Sequence, residues 1–310
     1  MNQIPHISIV SPVYRAENIV GKLVDEIKKV MIQMNLTYEI ILVDDRSPDN
    51  SWEAMKQISS KNSEVKSIRL SRNFGQHPAI MAGLSKTKGE WIVVIDCDLQ
   101  DQPKEIEKLY RKAVDGYDIV LAKRENRKDG FFKKISSKLF YVVFNYLSGI
   151  EINSEVANFG IYNKKVIKSI AQINDYIKFF PLFVQWVGFK STSIVVEHNE
   201  RVDGKSSYNL LKLMSLAFNI IISFSDKPLK IFTFLGLSIS SISFLSGCYY
   251  LFMALSGQIK EPGFSSLIIS IWLLSGIIIS IIGIVGIYLG KTFNQVKNRP
   301  IYIIDEKYGD

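Results

Sequence analysis

The sequence is poor in the residues that build several common kinds of protein site. It contains only two cysteines, Cys97 and Cys248, among 310 residues, so neither a disulfide framework nor a thiolate metal centre is expected. We interpret Cys97 as a residue chosen for its size rather than for redox chemistry. Of the three histidines, His77 and His198 lack the partner spacing of a zinc site, so we expect them to be structural or solvated.

Several ligand-binding signatures are missing as well. No Gly-x-Gly-x-x-Gly follows the first predicted strand, which argues against a dinucleotide-binding Rossmann unit, and there is no Walker A lysine loop. The formal net charge of +8 indicates contact with a polyanion, either nucleic acid or an anionic bilayer surface. Because no helix-turn-helix, RRM or zinc-finger pattern occurs and the basic residues cluster beside apolar segments, we expect a membrane partner and no nucleic acid.

Charge is absent from two long segments near the C-terminus. Residues 231–255 carry none over 25 positions and residues 264–290 none over 27, and each segment exceeds the roughly 20 residues that cross a bilayer. We predict two transmembrane helices that form a hairpin with basic residues on the same side of both spans. Residues 1–10 lack a signal peptide. We therefore expect a multi-pass protein of the inner membrane, with its large domain and both termini in the cytoplasm.

Strands alternate with helices in the first part of the chain. Apolar runs predict helices between them, one starting at Asn50 or Ser51 and one at Pro103. Such alternation is typical of a mostly parallel, doubly wound α/β sheet. The five predicted strands cover residues 7–10, 38–43, 65–70, 91–95 and 118–121.

Carboxylates follow two of these strands. Asp44 and Asp45 end the second strand, while Asp96 and Asp98 end the fourth. Because parallel strands end at one edge of a sheet, both pairs should meet where ligands bind in open α/β sheets. Buried carboxylates need compensation, and a hard divalent cation with phosphates would supply it. From these residues alone, a metal site is only slightly favoured over a solvated turn that caps the next helix.

Basic and apolar residues interleave in the segment from Lys123 to Leu147. We interpret it as an amphipathic helix at the bilayer interface; an ordinary surface helix is the alternative. A second such segment, residues 210–224, leads into the first span and favours the membrane interpretation. We therefore predict a catalytic domain over 1–208, a juxtamembrane amphipathic helix over 209–228, two spans within 229–290, and a cytoplasmic tail over 291–310.

Three ordered motifs carry a resemblance to a known family. Residues 8–17 (SIVSPVYRAE), 41–49 (ILVDDRSPD) and 96–101 (DCDLQD) resemble the successive signatures of family-two glycosyltransferases of GT-A fold. The motif at residues 71–75 (SRNFG), the two spans and the ending at 298–302 (NRPIY) are similar to polyprenyl-phosphate glycosyltransferases, relatives of dolichyl-phosphate mannose synthase. The resemblance covers essentially the whole chain.

The resemblance implies a role for each of several residues. Asp96, Asp98 and Arg124 form the implied catalytic set, and Asp96, Asp98 and Gln100 would hold Mg²⁺ or Mn²⁺. The implied donor-binding residues are Pro12, Tyr14, Glu17, Val43, Asp45, Asp96, Cys97, Arg201 and Lys205. The lipid phosphate would contact Arg124, Arg127, Lys133 and Lys134.

The activity that the resemblance implies is an inverting transfer of one sugar from a UDP- or GDP-linked donor to a polyprenyl phosphate. The alternatives are transfer to a lipid-linked oligosaccharide and a non-catalytic membrane scaffold. Where relatives commonly carry Asp-Phe-Arg, this chain has Asn158-Phe159-Gly160, and Lys205 is displaced by two positions from the usual lysine. We expect Trp186 to pack in the core. Small residues at Gly236/Ser240 and Gly286/Gly290 and an unpaired strand at 301–304 hint at a homo-oligomer.

Overall fold

The computed structural model describes residues 4–124, 144–147, 156–173, 175, 179–197, 221–222, 225–256 and 263–309. The chain divides into two compact units. The sheet unit includes the N-terminal part of the chain and the residues from 299 onward, and the helical unit contains the two long apolar helices. Both predicted amphipathic segments lie almost entirely outside the described residues.

The sheet unit contains eight strands and six helices among its described residues. The strands are β1 (Ile7–Val13), β2 (Tyr38–Asp44), β3 (Val65–Leu70), β4 (Trp91–Val94), β5 (Ile119–Arg124), β6 (Val156–Asn163), β7 (Ser191–Val196) and β8 (Ile304–Tyr308). The helices are α1 (Val20–Met34), α2 (Ser51–Lys61), α3 (Gln76–Leu84), α4 (Glu105–Val114), α5 (Lys164–Gln172) and α6 (Phe180–Trp186).

The sheet has the strand order β7-β5-β6-β4-β1-β2-β3-β8. Strand β1 lies between β4 and β2 and is parallel to both, whereas β6 and β8 are antiparallel to their neighbours. All seven residues of β1 are buried, as expected for a parallel strand covered on both faces. The predicted mostly parallel α/β sheet is confirmed, with two antiparallel strands added.

The ends of several elements differ from the sequence prediction. Strand β1 continues through Pro12 to Val13, because these residues stay in register with Val43 and Asp44 of β2. Helix α4 begins at Glu105 rather than at Pro103. The Pro103 carbonyl accepts the N–H of Ile106, three residues on, which is the bond of a tight turn rather than of an α-helix.

The prediction of an unpaired C-terminal strand was wrong. The strand is Ile304–Tyr308, and it pairs antiparallel with β3 inside the sheet unit. The sequence gives no sign of this partner because the two strands are more than 230 residues apart. The pairing removes this strand as an argument for oligomerisation.

Trp186 does not pack in the core, so that prediction was also wrong. Helix α6 buries Phe180, Leu182, Phe183 and Val184. Trp186 is the last residue of this helix and is 73% exposed. A helix of this length buries only one face, and the tryptophan lies outside that face.

The helical unit contains α7 (Lys227–Leu255) and α8 (Phe264–Val296). Each helix is long and apolar enough to cross a membrane. A Cβ atom at Gly236 would lie 3.5 Å from Ile281 Cδ1 of α8, so the two helices approach closely there. A Cβ atom at Gly286 or Gly290 would meet no described atom within 4 Å beyond its own stretch of helix. Among the glycines that the structure describes, the predicted close packing is therefore seen at Gly236 and not at Gly286 or Gly290.

Candidate functional site

The carboxyl ends of β4, β1 and β2 bring the predicted acidic residues to one edge of the sheet. Asp44 is the last residue of β2 and Asp45 follows it, while Asp96 and Asp98 follow β4. Strand β1 lies between the two and is parallel to both. The predicted meeting of the two acidic pairs at this edge is confirmed.

Asp45 is held by the loop that follows β3, the strand next to β2. Its two carboxylate oxygens accept the backbone N–H groups of Phe74 and Gly75 at 2.7 and 2.8 Å. Burial raises the pKa of Asp45, the two N–H groups oppose that effect, and the charge of Asp44 adds to it. Each oxygen of an ionised carboxylate has a second acceptor position, so Asp45 can still bind a ligand from a fixed orientation.

Asp96 is tied to the same loop through Gln76. The Gln76 side-chain amide donates to Asp96 Oδ1 at 2.7 Å, and Gln76 is the first residue of α3. Residues 74–76 therefore connect Asp45 to Asp96 by consecutive contacts. The sequence analysis missed Gln76, although its position directly after the SRNFG motif of residues 71–75 was an available signal.

Asp98 and Gln100 lie in a tight turn after β4. The Gln100 N–H donates to Asp98 Oδ1 at 3.1 Å, and Leu99 between them has a φ of +57°. Carboxylate and amide oxygens suit a hard cation such as Mg²⁺. Among the described residues, no group of three or more His, Cys, Asp or Glu side chains converges on one point. A cation held here would therefore take other ligands from a bound phosphate or from water.

Three non-glycine residues near this edge have left-handed backbones. Arg15, Arg46 and Leu99 have φ values of +54°, +55° and +57° and follow β1, β2 and β4 respectively. Such conformations are costly and concentrate at functional sites. The Arg15 N–H donates to Ser47 Oγ at 3.1 Å, and the Ser47 N–H donates to Asp44 Oδ1 at 2.9 Å. These bonds hold the first two loops against each other.

The other residues that were predicted to bind the sugar donor, and that the structure describes, surround this edge. Pro12 and Val43 are paired in register on β1 and β2, and the Tyr14 ring is 44% exposed with the Arg15 guanidinium 5.5 Å from its centroid. Glu17 accepts the N–H of Asn50, the N-cap residue of α2, at 2.9 Å. The predicted start of that helix is confirmed, and Glu17 serves the fold at this position.

The environment of Cys97 disfavours the reactive thiolate form. Burial raises the pKa of its thiol to about 12, and the charges of Asp96 and Asp98 act in the same direction. The thiol is therefore neutral at physiological pH. Reactive cysteines, in contrast, are thiolates under these conditions. The side chain packs against the hydrophobic core, in agreement with the size argument made from the sequence.

The basic part of the predicted site lies mostly outside the described residues. Arg124 is the last residue of β5, so the basic segment begins as a strand. Five other predicted residues and one histidine are not among the described residues: Arg127, Lys133, Lys134, Arg201, Lys205 and His198. Their roles stay predictions.

The surroundings of Gly160 leave no room for the arginine that the family resemblance led us to expect there. Gly160 is buried on β6, and a Cβ atom there would lie 2.9 Å from both the Val120 carbonyl oxygen and Tyr162 Oη. Tyr162 is fully buried, and its hydroxyl donates to the Asn158 carbonyl at 3.5 Å. The tyrosine therefore occupies the space into which a side chain at position 160 would project.

His77 is a half-buried imidazole beside the acidic edge. It follows Gln76 on α3, and its ring meets Phe179 edge-on with centroids 4.5 Å apart. Its Nδ1 is buried and has no hydrogen-bond partner among the residues that the structure describes. Burial lowers the pKa of His77 from 6.5 to about 4. The structural role expected for this histidine agrees with its place in the packing.

We expect His77 to make the protein sensitive to mild acid. Because the folded-state pKa lies below the unfolded one, its contribution to stability is fully present above pH 6.5 and is lost as the pH falls toward 4. The loss should be about 1.4 kcal/mol for each pH unit in this window. The melting temperature of the wild type relative to that of His77→Phe, measured from pH 7.5 to 4.5, should be constant above pH 6.5 and should fall steadily below it. Parallel curves throughout would contradict this.

Known proteins similar to this chain were found by sequence. A family model described as glycosyl transferase family 2 matches residues 8–171. The chain is 37% identical over 303 residues to YkcC, an uncharacterized glycosyltransferase of Bacillus subtilis, covering 97% of this chain and 94% of that protein. It is 33% identical to a bactoprenol glucosyl transferase of Shigella flexneri, covering 97% and 98% of the two chains. It is 31% identical to the undecaprenyl-phosphate 4-deoxy-4-formamido-L-arabinose transferase of Photorhabdus laumondii, covering 99% and 96%.

A similar fold is found among solved structures. Glucosyl-3-phosphoglycerate synthase of Mycobacterium tuberculosis, solved with Mn²⁺, UDP-glucose and phosphoglyceric acid, matches with a TM-score of 0.52. The match covers 71% of this chain and 78% of that chain at 15% identity. At this identity the similarity concerns the fold alone, and it confirms the predicted GT-A architecture.

Proposed function

Since this chain belongs to glycosyl transferase family 2, we propose that its acidic edge transfers one sugar from a nucleotide donor to a polyprenyl phosphate. The observation that carries the proposal is the connection between the two acidic strand ends. Asp45 accepts the N–H groups of Phe74 and Gly75, and Asp96 accepts the amide of the next residue, Gln76. A nucleotide sugar that spans this edge would meet both carboxylates in fixed orientations. Catalysis by positioning of the reactants requires such fixed groups.

The donor would lie across β1. Pro12, Tyr14, Glu17, Val43 and Asp45 would border the base and ribose of a UDP- or GDP-linked sugar. The exposed Tyr14 ring offers a flat face for the base. Asp96 and Cys97 would lie beside the sugar–diphosphate part, while Arg201 and Lys205 would close over the phosphates. A guanidinium suits the bidentate grip on phosphate better than an ammonium does.

The turn at Asp98 would hold the metal. Asp98 and Gln100, with help from Asp96, present hard oxygen ligands that fit Mg²⁺ or Mn²⁺. A bound divalent cation would neutralise the charge that develops on the departing nucleoside diphosphate. The protein's own contribution is to fix these oxygens through the Gln100 N–H and the left-handed Leu99.

The acceptor would be the phosphate of a lipid such as undecaprenyl phosphate. The proteins of Photorhabdus laumondii and Shigella flexneri are named for transfer to undecaprenyl phosphate and to bactoprenol. A phosphate oxygen is ionised at neutral pH, so no strong general base is needed. Its attack forms the new bond to the anomeric carbon as the bond to the diphosphate breaks, and a single displacement inverts that carbon. Arg124, Arg127, Lys133 and Lys134 would align the acceptor and offset repulsion between the anions.

The reaction would take place at the cytoplasmic face of the inner membrane. The helices α7 and α8 would form the transmembrane hairpin. Strand β8 follows α8 and pairs with β3, so the chain on both sides of the hairpin belongs to the sheet unit. The chain before α7 and the chain after α8 are therefore separated by an even number of membrane crossings. This supports a location of both termini on the side of the catalytic domain. Oligomer formation through the small residues of the spans remains part of the proposal.

Membranes that contain the full-length protein provide the test. They would be incubated with radiolabelled UDP- and GDP-sugars and undecaprenyl phosphate, with and without EDTA. We expect one nucleotide sugar to label the lipid phosphate, EDTA to abolish labelling, and Mn²⁺ or Mg²⁺ to restore it. Labelling of lipid-linked oligosaccharides alone would favour the alternative in which the sugar is transferred to such an oligosaccharide. The absence of any transfer would favour the scaffold alternative.

A further inference from the structure

The last strand of the chain lies against the elements that hold Asp45. In its register with β3, Glu306 faces Arg69 and Tyr308 faces Ser67. The pairing continues beyond β3, because the Ser71 N–H donates to the Ile303 carbonyl at 2.9 Å. Ser71 begins the loop whose Phe74 and Gly75 bind the Asp45 carboxylate. Strand β8 therefore fixes the start of that loop.

Two carboxylates of β8 also reach the residues on either side of Asp45. Asp305 Oδ2 lies 2.5 Å from Arg46 Nη1. Glu306 Oε1 lies 3.4 Å from Arg69 Nη1, and Arg69 Nε lies 3.3 Å from Oδ2 of the fully buried Asp44. The strand thus contacts Arg46 directly and Asp44 through Arg69.

We propose that Asp305 and Glu306 are positioning residues for Asp45, and that the C-terminal strand thereby sets the affinity of the site for its nucleotide donor. This inference rests on the donor role proposed above for Asp45. Arg46 has a left-handed backbone that needs support from its surroundings, and its ion pair with Asp305 supplies it. The Glu306 contact keeps Arg69 against Asp44, whose Oδ1 accepts the Ser47 N–H of the same loop.

A positioning role accounts for these ion pairs better than global stability does. The side chains of Arg46 and Asp305 are 41% and 42% exposed, and exposed ion pairs contribute little to folding. They nevertheless restrict the conformations of the loop at residues 45–47, and ligand binding is sensitive to such restriction. Their loss should therefore weaken donor binding more than it lowers the melting temperature.

The experiment uses the full-length protein in lipid nanodiscs. Binding of UDP and of GDP in the presence of Mn²⁺ is measured by calorimetry for the wild type and for Asp305→Ala/Glu306→Ala. We expect the double variant to bind the preferred nucleotide about 5–10-fold more weakly, in line with the loss of two partly exposed charge contacts. The KM for the nucleotide sugar should rise by the same factor, while kcat and the KM for undecaprenyl phosphate stay unchanged.

Three further variants, including the single variant Asp305→Ala, separate positioning from simple packing. Exchange of the charges in Arg46→Asp/Asp305→Arg should restore nucleotide affinity relative to Asp305→Ala. Lys307→Ala removes an exposed charge from the same strand and should have no effect.

The possible outcomes separate this inference from the function on which it rests. Equal nucleotide affinity in the wild type and the double variant would overturn the positioning role. So would a parallel loss of donor affinity, acceptor affinity and melting temperature, because β8 would then be a structural strand only. Failure of the wild type to bind either nucleotide would reject the proposed function itself, and with it this role of β8.

Discussion

Replacement of Asp98 by Ala is expected to lower kcat/KM for sugar transfer by about 10²–10³-fold, the size of effect that follows loss of one preorganised charge at a reacting centre. Asp98 and Gln100 supply the hard oxygen ligands of the turn after β4, and the Gln100 N–H fixes the orientation of the carboxylate. An alanine removes the ligand and leaves the turn without its acceptor. The measurement is the rate at which label from the nucleotide sugar appears in polyprenyl phosphate.

Direct binding gives a second readout of the same variant. In the wild type, Mn²⁺ should increase the affinity for UDP or GDP, and in Asp98→Ala this increase should disappear. Asp115→Ala is a suitable control, because Asp115 is the C-cap residue of α4 and its ion pair with Lys112, at 3.4 Å, is exposed. It should match the wild type in both measurements. Full lipid labelling by Asp98→Ala would show that Asp98 is not a metal ligand in catalysis.

The second large effect concerns stability. Gly160→Arg, which introduces the arginine that the family resemblance led us to expect at this position, should destabilise the sheet unit by about 3 kcal/mol, the upper range for overpacking a core. The new Cβ would lie 2.9 Å from the Val120 carbonyl, a backbone atom that cannot move independently, and 3.2 Å from Leu121 Cδ2. The guanidinium would also be buried without a designed partner.

Melting temperature measures this loss. A change of about 3 kcal/mol corresponds to a decrease of roughly 6–12 °C for a domain of this size. The same substitution at Gly21, where a Cβ atom would meet no described atom within 4 Å beyond its own stretch of helix, should be neutral or slightly stabilising because arginine is the better helix former. Adding Tyr162→Phe to Gly160→Arg removes one of the two closest contacts and should recover part of the loss. An unchanged melting temperature for Gly160→Arg would mean that β5 and β6 separate easily at this point.

The features that the sequence predicted well depend on local patterns. Apolar runs locate strands such as Val65–Leu70, which agrees with the prediction at both ends. Once these strands are taken as parallel, the meeting of Asp45 and Asp96 at one edge follows from geometry. The family resemblance, which rests on ordered motifs, was also sufficient to identify the enzyme class.

The features that the sequence did not predict depend on contacts between distant segments. Arg46 and Asp305 are 259 residues apart, and no periodicity connects them. The bond from Gln76 to Asp96 depends on how α3 is oriented at its first residue. The exposure of Trp186 depends on which face of a seven-residue helix is buried, and a tryptophan in an apolar run gives no information on that face. Tertiary packing decides each of these points.

Strand β8 also has a consequence for biosynthesis. Until residues 304–308 have left the ribosome, β3 is an edge strand with unpaired backbone groups, and such edges promote aggregation. At ordinary translation rates the roughly 230 residues between the two strands take about 12–50 s to make. Both apolar helices are synthesised within this interval. Chains that stop after the second helix would therefore carry an open sheet edge that can pair with other chains.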